Sequence, residues 1–242
     1  MGKISLFIDG TEIQAEEGMS VLEASLAAGI YIPHLCSHPD LPATGGCKMC
    51  VVEIDGQEAP VSSCVTEVQE GMKVHTKSEQ LSQLRKIALE LHPGFCCYNP
   101  ETLLKLRAAV GPAIGANLDP SHFFWQGIDI VAAIRELGPA IYHFHAKDTK
   151  VDAINTAKNG VLDTKHYSEE LRRSWIFRTV GYGHGEETWR DILSNLRMVG
   201  YDGAISIEHE DGLMSAGEGL EKAIDFLKPL LLMEDTGAMW WA

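Results

Sequence analysis

Apolar and polar positions change period several times along the first 90 residues. Lys3 to Asp9 and Glu12 to Ala15 alternate on either side of Gly10-Thr11, which predicts a hairpin of two strands. Gly18-Met19-Ser20 then precedes Val21, Ala24, Ser25 and Ala28 at helical spacing. After a long irregular stretch, Met49 to Ile54 reads as a strand closed by Asp55-Gly56, and Met72 to Thr76 as another. Leu81, Leu84, Ile87, Ala88 and Leu91 fall at helical spacing, so a helix is predicted to run through residues 86–91. The second half alternates differently. Thr102 to Val110, Ile128 to Leu137, Thr188 to Val199 and Gly219 to Leu231 read as helices, separated by strands at Ile114 to Leu118, Ile141 to Ala146 and Ala204 to Glu208. Alternating helix and strand predicts a parallel sheet. Chemistry in such sheets gathers at the carboxyl ends of the strands. Those ends carry Asn117 to His122, His143 to Asp148 and Glu208-His209-Glu210.

The 242 residues make one large domain or two modest ones, with 45% hydrophobic and 22% charged positions, enough apolar material for a core. All six cysteines lie before residue 98 and all five tryptophans after residue 124, a shift in vocabulary with no Pro/Gly/Ser-rich spacer at the join. A net charge of -14 repels phosphate backbones and anionic lipid, so nucleic acid is excluded as the expected partner. No apolar run approaches the ~20 residues of a membrane span and no export signal opens the chain, which predicts a cytoplasmic protein with no membrane span. In a reducing compartment, six cysteines point to metal or cluster binding before disulfides.

Cys36, Cys47, Cys50 and Cys64 are spaced C-x10-C-x2-C-x13-C in a loop containing Gly45-Gly46. Four thiolates can hold a [2Fe-2S] cluster, two on each iron, and the glycines let backbone amides approach the sulfurs. A structural zinc site, which usually brings two close Cys pairs, and inert thiols or disulfides are the alternatives. With Val21-Leu22-Glu23-Ala24, Ile32-Pro33-His34-Leu35-Cys36, Gly46-Cys47-Lys48-Met49-Cys50 and Ser63-Cys64, the stretch from Ile4 to about Leu91 resembles the N-terminal [2Fe-2S] ferredoxin module of the complex I large iron-sulfur subunit and of NAD-linked hydrogenase and formate dehydrogenase subunits. That resemblance implies a β-grasp fold, electron transfer, and a cluster on those four cysteines. His92-Pro-Gly-Phe-Cys96 imitates the opening of the family's next cluster site, but Asn99 stands where a cysteine is needed. Cys96 and Cys97 are therefore read as small buried residues.

In the second half, strand parity puts Ser206 with Glu208, Asn117 with Asp119, and His143 with His145, each opposite apolar neighbours. Such carboxylates and imidazoles can bind a divalent cation; the histidines can equally be hydrogen-bonded interior residues. Through Leu91-His92-Pro93-Gly94-Phe95, Asp119-Pro120-Ser121-His122, His143-Phe144-His145-Ala146-Lys147-Asp148 and Ser206-Ile207-Glu208-His209-Glu210, residues from about Ile87 onward resemble the C-terminal half of a sugar phosphate isomerase/epimerase of the xylose isomerase-like TIM-barrel superfamily. The resemblance implies Mn2+, Mg2+ or Zn2+ held by Glu90, Asp119, His145 and Glu208. It makes the two glutamates an acid/base pair and places His122 and Lys147 on the substrate.

A full barrel takes about 250 residues and eight βα units, whereas about 150 residues follow the ferredoxin-like stretch. The expected fold class is an α+β β-grasp ferredoxin domain over 1–91 followed by an α/β partial TIM barrel, half of one, over 92–242. Lys86 to Leu91 suits both parents, and its helical spacing would leave Glu90 on a surface and break the acid/base pair. Three readings follow. The first is an iron-sulfur electron-transfer protein with a flavin- or cluster-bearing redox partner. The second is a divalent-metal-dependent sugar (phosphate) isomerase or epimerase, with a homodimer through the half-barrel edges supplying missing strands. The third is a non-functional fusion of two gene fragments.

Overall fold

A computed structural model describes residues 2–37, 42–234 and 237. Residues 38–41, part of the loop expected between Cys36 and Cys47, lie outside the described residues, as do positions 1 and 242 at the ends of the expected domains. The chain divides into two units, Met1–Lys86 and Ile87–Ala242.

In the first unit the alternation around Gly10 becomes β1 (Lys3–Ile8) and β2 (Thr11–Glu16), paired antiparallel with Leu6 opposite Ile13. Ser20 starts α1 (Val21–Ala27): its hydroxyl accepts from the Glu23 amide while the Glu23 carboxylate accepts from the Ser20 amide. Next come β3 (Val51–Ile54), β4 (Val61–Ser62), β5 (Lys73–His75) and α2 (Glu79–Leu84). The five strands run in the order β2-β1-β5-β3-β4, with β1 and β5 parallel. Leu6, Ile8, Val21, Leu22, Val52 and Val74 form the core of this unit.

The helix predicted through residues 86–91 is not there. α2 ends at Leu84, and the Arg85 guanidinium donates to the carbonyls of Thr76 (2.8 Å) and Val51 (2.5 Å). Ile87–Glu90 is a strand, β6, and belongs to the second unit. The division therefore falls after Lys86 instead of after residue 91. What overrides the local period is a partner 27 residues away: Ile87 pairs with Ile114 and Glu90 with Asn117 in a parallel ladder.

The second unit continues with α3 (Pro100–Val110), β7 (Ile114–Leu118), α4 (Pro120–Gln126), α5 (Ile130–Leu137), β8 (Ile141–Ala146), β9 (Asp148–Val151) and α6 (Ala153–Asn159). It closes with β10 (Trp175–Arg178), α7 (Glu186–Met198), β11 (Ile205–Ile207) and α8 (Ala216–Leu227). The unit is mixed α/β around a wholly parallel sheet ordered β11-β8-β7-β6; β9 and β10 form a separate antiparallel pair. Leu118, Phe123, Ile134, Phe144, Trp189 and Ile192 pack in one core. Each such side chain contributes about 1.5–3 kcal/mol by leaving water. On β8, Phe144 is buried in that core, so period two turns His143 and His145 to the opposite face. Among the described residues, β6 and β11 are edge strands, and no helix is long and apolar enough to cross a membrane.

Candidate functional site

Cys36, Cys47, Cys50 and Cys64 meet in two pairs. The Cys47 amide and thiol donate to the Cys36 sulfur, joined by Thr44 Oγ1 at 3.8 Å and by the Gly46 amide. These donors hold the Cys36 thiol down at about 7. Burial, and donation of its proton to the Cys50 sulfur, push the Cys64 thiol up to about 11, although the Gly45 amide is turned toward it. The Met49 amide lies 3.4 Å from Cys47 Sγ. Gly45 has φ +65, a conformation that favours glycine, and a Cβ there would stand a tight 3.2 Å from Val65 Cγ2. Two thiol pairs with amides aimed at the sulfurs fit a two-iron cluster, whose charge such amides stabilise. Cys97 is buried as expected, but Cys96 is exposed, because the segment between β6 and α3 turns it outward.

Four strand ends of the second unit bring Glu90, Asp119, His145 and Glu208 together. One ligand atom of each lies within 4.8 Å of the others. β6 delivers Glu90 because it is a strand; the helical reading, which put this side chain on a surface, is corrected here. Asp119 is fully buried at the N-cap of α4, where its Oδ1 accepts from the Ser121 amide at 2.8 Å. Burial raises the Asp119 carboxyl, opposed by His122 and Lys147. His122, also buried, has Nε2 3.1 Å from Glu90 Oε1 and 3.6 Å from Asp119 Oδ2; donation from His122 lowers the Glu90 carboxyl. His145 Nδ1 stands 2.9 Å from Glu208 Oε2. Even so, Glu208 Oε2 and Asp119 Oδ2 are solvent-inaccessible and accept no aligned hydrogen bond. Inaccessible carboxylate oxygens that accept no aligned hydrogen bond, turned to one point with an imidazole, fit a divalent cation.

Lys147, only 2% exposed, faces this cluster. Its Nζ is 2.9 Å from Glu208 Oε1, 2.5 Å from Glu210 Oε2, 4.0 Å from Asp119 Oδ2 and 4.1 Å from the centre of the Phe177 ring. Burial alone would lower the ammonium, but Glu210 and Glu208 outweigh it and hold it above its ordinary value. A cavity of about 730 Å3 opens beside these groups, lined also by His92, Tyr167, Glu170 and Ile176. Sequence reasoning gives these four and Glu210 no role. Glu210 shares strand parity with Glu208 and can be found on that ground, whereas Tyr167 and Glu170 lie in an irregular segment with no period. His143 stays apart from the converging ligands, its ring 5.3 Å from that of His145.

Residues 2–79 match the family described as the 2Fe-2S iron-sulfur cluster binding domain. The N-terminal part is homologous to the alpha chain of the NADPH-Fe(3+) oxidoreductase of Geobacter sulfurreducens, 41% identical over 97 residues that cover 38% of this chain and 12% of that protein. The chain is also 43% identical over 152 residues to the uncharacterized protein YfiH of Bacillus subtilis, covering 63% of this chain and 49% of YfiH. Among solved structures it is similar to a xylose isomerase domain protein from Planctomyces limnophilus, with 21% identity, a TM-score of 0.45, and coverage of 63% of this chain and 54% of that one. The chain thus spans about half the length of YfiH and a small part of the Geobacter oxidoreductase chain.

Proposed function

We propose that this chain is an iron-sulfur electron-transfer protein. Its N-terminal unit, a β-grasp ferredoxin-type fold, holds one [2Fe-2S] cluster, with Cys36 and Cys47 on one iron and Cys50 and Cys64 on the other. The observation that carries this reading is the pairing of the four thiols, with backbone amides turned to them, inside the stretch that the iron-sulfur family matches. When bound, the cluster supplies a one-electron acceptor and donor. The chain's own part is electrostatic. Amides from residues 45–47 and 49 offset the negative charge on the sulfurs, and Gly45 lets the backbone come close enough to do so. The charge of -14 suits docking to a basic patch on a flavin- or cluster-bearing redox protein, in a reducing cytoplasm that keeps the thiols free. The test is anaerobic purification followed by iron and sulfide analysis and EPR after dithionite reduction. Two irons and two sulfides per chain and a reduced-cluster signal, lost in Cys47→Ser, are expected; stoichiometric zinc without iron overturns the reading.

The inaccessible oxygens of Asp119 and Glu208, which accept no aligned hydrogen bond, favour a second activity in the other unit, which we read as half a TIM barrel. Glu90, Asp119, His145 and Glu208 would hold a divalent cation, and the cation supplies Lewis-acid polarisation of a carbonyl or hydroxyl group. Glu208, with Oε1 held by Lys147, would take a proton from the carbon next to that carbonyl, with Glu90 as its acid/base counterpart and His122 orienting Glu90. This is the chemistry of a sugar isomerase or epimerase. The free edges β6 and β11 are where a second copy would add strands. Deuterium exchange at a carbon-bound position of a ketose, dependent on Mn2+ and abolished in Glu208→Gln, tests the activity. Inactivity with every ketose at high enzyme concentration counts against it.

A further inference from the structure

We propose that the cavity of the second unit takes an uncharged polyhydroxy compound and rejects its phosphate esters. The inference rests on the cation-binding reading of that site and narrows its substrate class. The wall carries four carboxylates, Glu90, Glu170, Glu208 and Glu210, against one ammonium, Lys147. A bound divalent cation therefore leaves the surface net negative. A phosphate dianion needs donors or cations that are free to meet it, and Lys147 is already committed. Of its three N–H groups, one faces Glu208 and one Glu210, while the ammonium sits on the Phe177 ring.

Three cations on the surrounding segments are committed as well. Lys165 reaches Asp163 at 3.0 Å, and Arg178 reaches Asp211 at 3.1 Å. Arg173 donates to the carbonyls of Trp175 and Lys165 and lies 4.2 Å over the Tyr167 ring. Lys150, exposed and paired across the ladder with Ile176, does not line the cavity, so among the described residues that do, Lys147 is the only cation. What the wall does offer suits hydroxyl groups. Carboxylate oxygens accept from them, and so does the neutral ring of His92: its Nδ1 is 2.6 Å from the Pro93 carbonyl, which only accepts, so in that form Nδ1 carries the proton and Nε2 keeps the lone pair. Ile176, Phe177 and Tyr167 add apolar surface to the same cavity. Tyr167 is 54% exposed and stacked on Phe177 at 5.8 Å, an area on which the carbon-hydrogen face of a sugar can lie.

The experiment uses the full chain with Mn2+, whose uptake is measured separately by EPR. D-Fructose against D-fructose 6-phosphate, and D-glucose against D-glucose 6-phosphate, are titrated calorimetrically at low ionic strength, with inorganic phosphate as competitor. A free sugar is expected to bind, its ester to bind at least about tenfold more weakly, the gap to shrink with added salt, and phosphate not to compete. Tyr167→Ala should weaken the free sugar, and Glu170→Gln should narrow the gap. An ester that binds as tightly as its sugar, displacement by phosphate, or uptake of Mn2+ with no free sugar bound overturns the proposal. If Mn2+ is not taken up, the cation reading has failed, and the same sugar-against-ester comparison in the metal-free chain decides the substrate class.

Discussion

The two ends of the cysteine quartet should react with an alkylating agent at very different rates when iron is absent. With a Cys36 thiol at about 7 and a Cys64 thiol at about 11, about half of Cys36 but only about one in 10,000 of Cys64 is thiolate at pH 7, a ratio of about 5,000. The more basic thiolate is the better nucleophile; a Brønsted slope of 0.4–0.5 over about four units returns a factor of about 40–100. The net preference for Cys36 is about 50–125-fold, and the burial of Cys64 moves it further the same way. Apo protein would be pulsed with iodoacetamide from pH 5.5 to 9 and the peptides carrying each cysteine quantified by mass spectrometry. Cys36 labelling should rise about tenfold per pH unit below 7 and level off above it, while Cys64 still climbs at pH 9. Cluster-loaded protein should label at neither position. Equal rates for the two cysteines at pH 7, or a Cys36 profile without a plateau, would refute the amide-cradle account of this loop.

Replacing Lys147 by Met removes the ammonium that faces Asp119, Glu208 and Glu210, and should cost about 3 kcal/mol in urea denaturation, the low end for a broken buried pair because Glu208 and Glu210 are partly exposed. The raised Lys147 value means that its contribution is complete below the unfolded-state pKa and is lost only in alkali, as pH climbs through the folded value. The deficit of the variant should therefore stay level from pH 5 to pH 8 and shrink only in alkali. The Asp119 carboxyl is raised in the folded state, so its burial costs stability above its unfolded value and that cost fades as acid protonates it. Gly45→Ala should lower thermal stability by about 1–2 kcal/mol and reduce iron incorporation, since alanine must take a left-handed conformation there. Asp119→Asn should weaken Mn2+ binding at least about a hundredfold in an EPR titration of the free ion, the upper end of what loss of even an indirect partner costs.

Much of the framework is legible locally. The Gly10-Thr11 hairpin, β7, β8, β11 and the long helices follow from period and turn chemistry, because each buries one face against its own unit. The pair β9/β10 escapes such reading because its strands are four residues each, joined through α6 and a long irregular segment, and their pairing is non-local. β6 is hidden for a related reason. Leu81 and Leu84 do belong to a helix, and only the ladder with β7 shows that Ile87 onward leaves it. That single reassignment moves Glu90 from a surface into the ligand cluster. The candidate ligands at 119, 145 and 208 are readable because strand parity is a short-range property; Tyr167 and Glu170 reach the cavity through loop geometry that no period encodes.

The four converging ligand atoms come from the ends of four different strands of the parallel sheet, Asp119 and Glu208 each one residue beyond its strand. An ion seated there would act as a clasp across neighbours, added to the backbone ladders, the shared core and the Lys147–Glu208 and His122–Glu90 pairs, since no strand could peel away without surrendering a bond to it. At a free concentration a hundred times its dissociation constant, such an ion adds about 2.7 kcal/mol against unfolding. That gain would fall on the sheet as a whole, the exposed rims at β6 and β11 included, so resistance to proteases at those rims would report on metal at the centre.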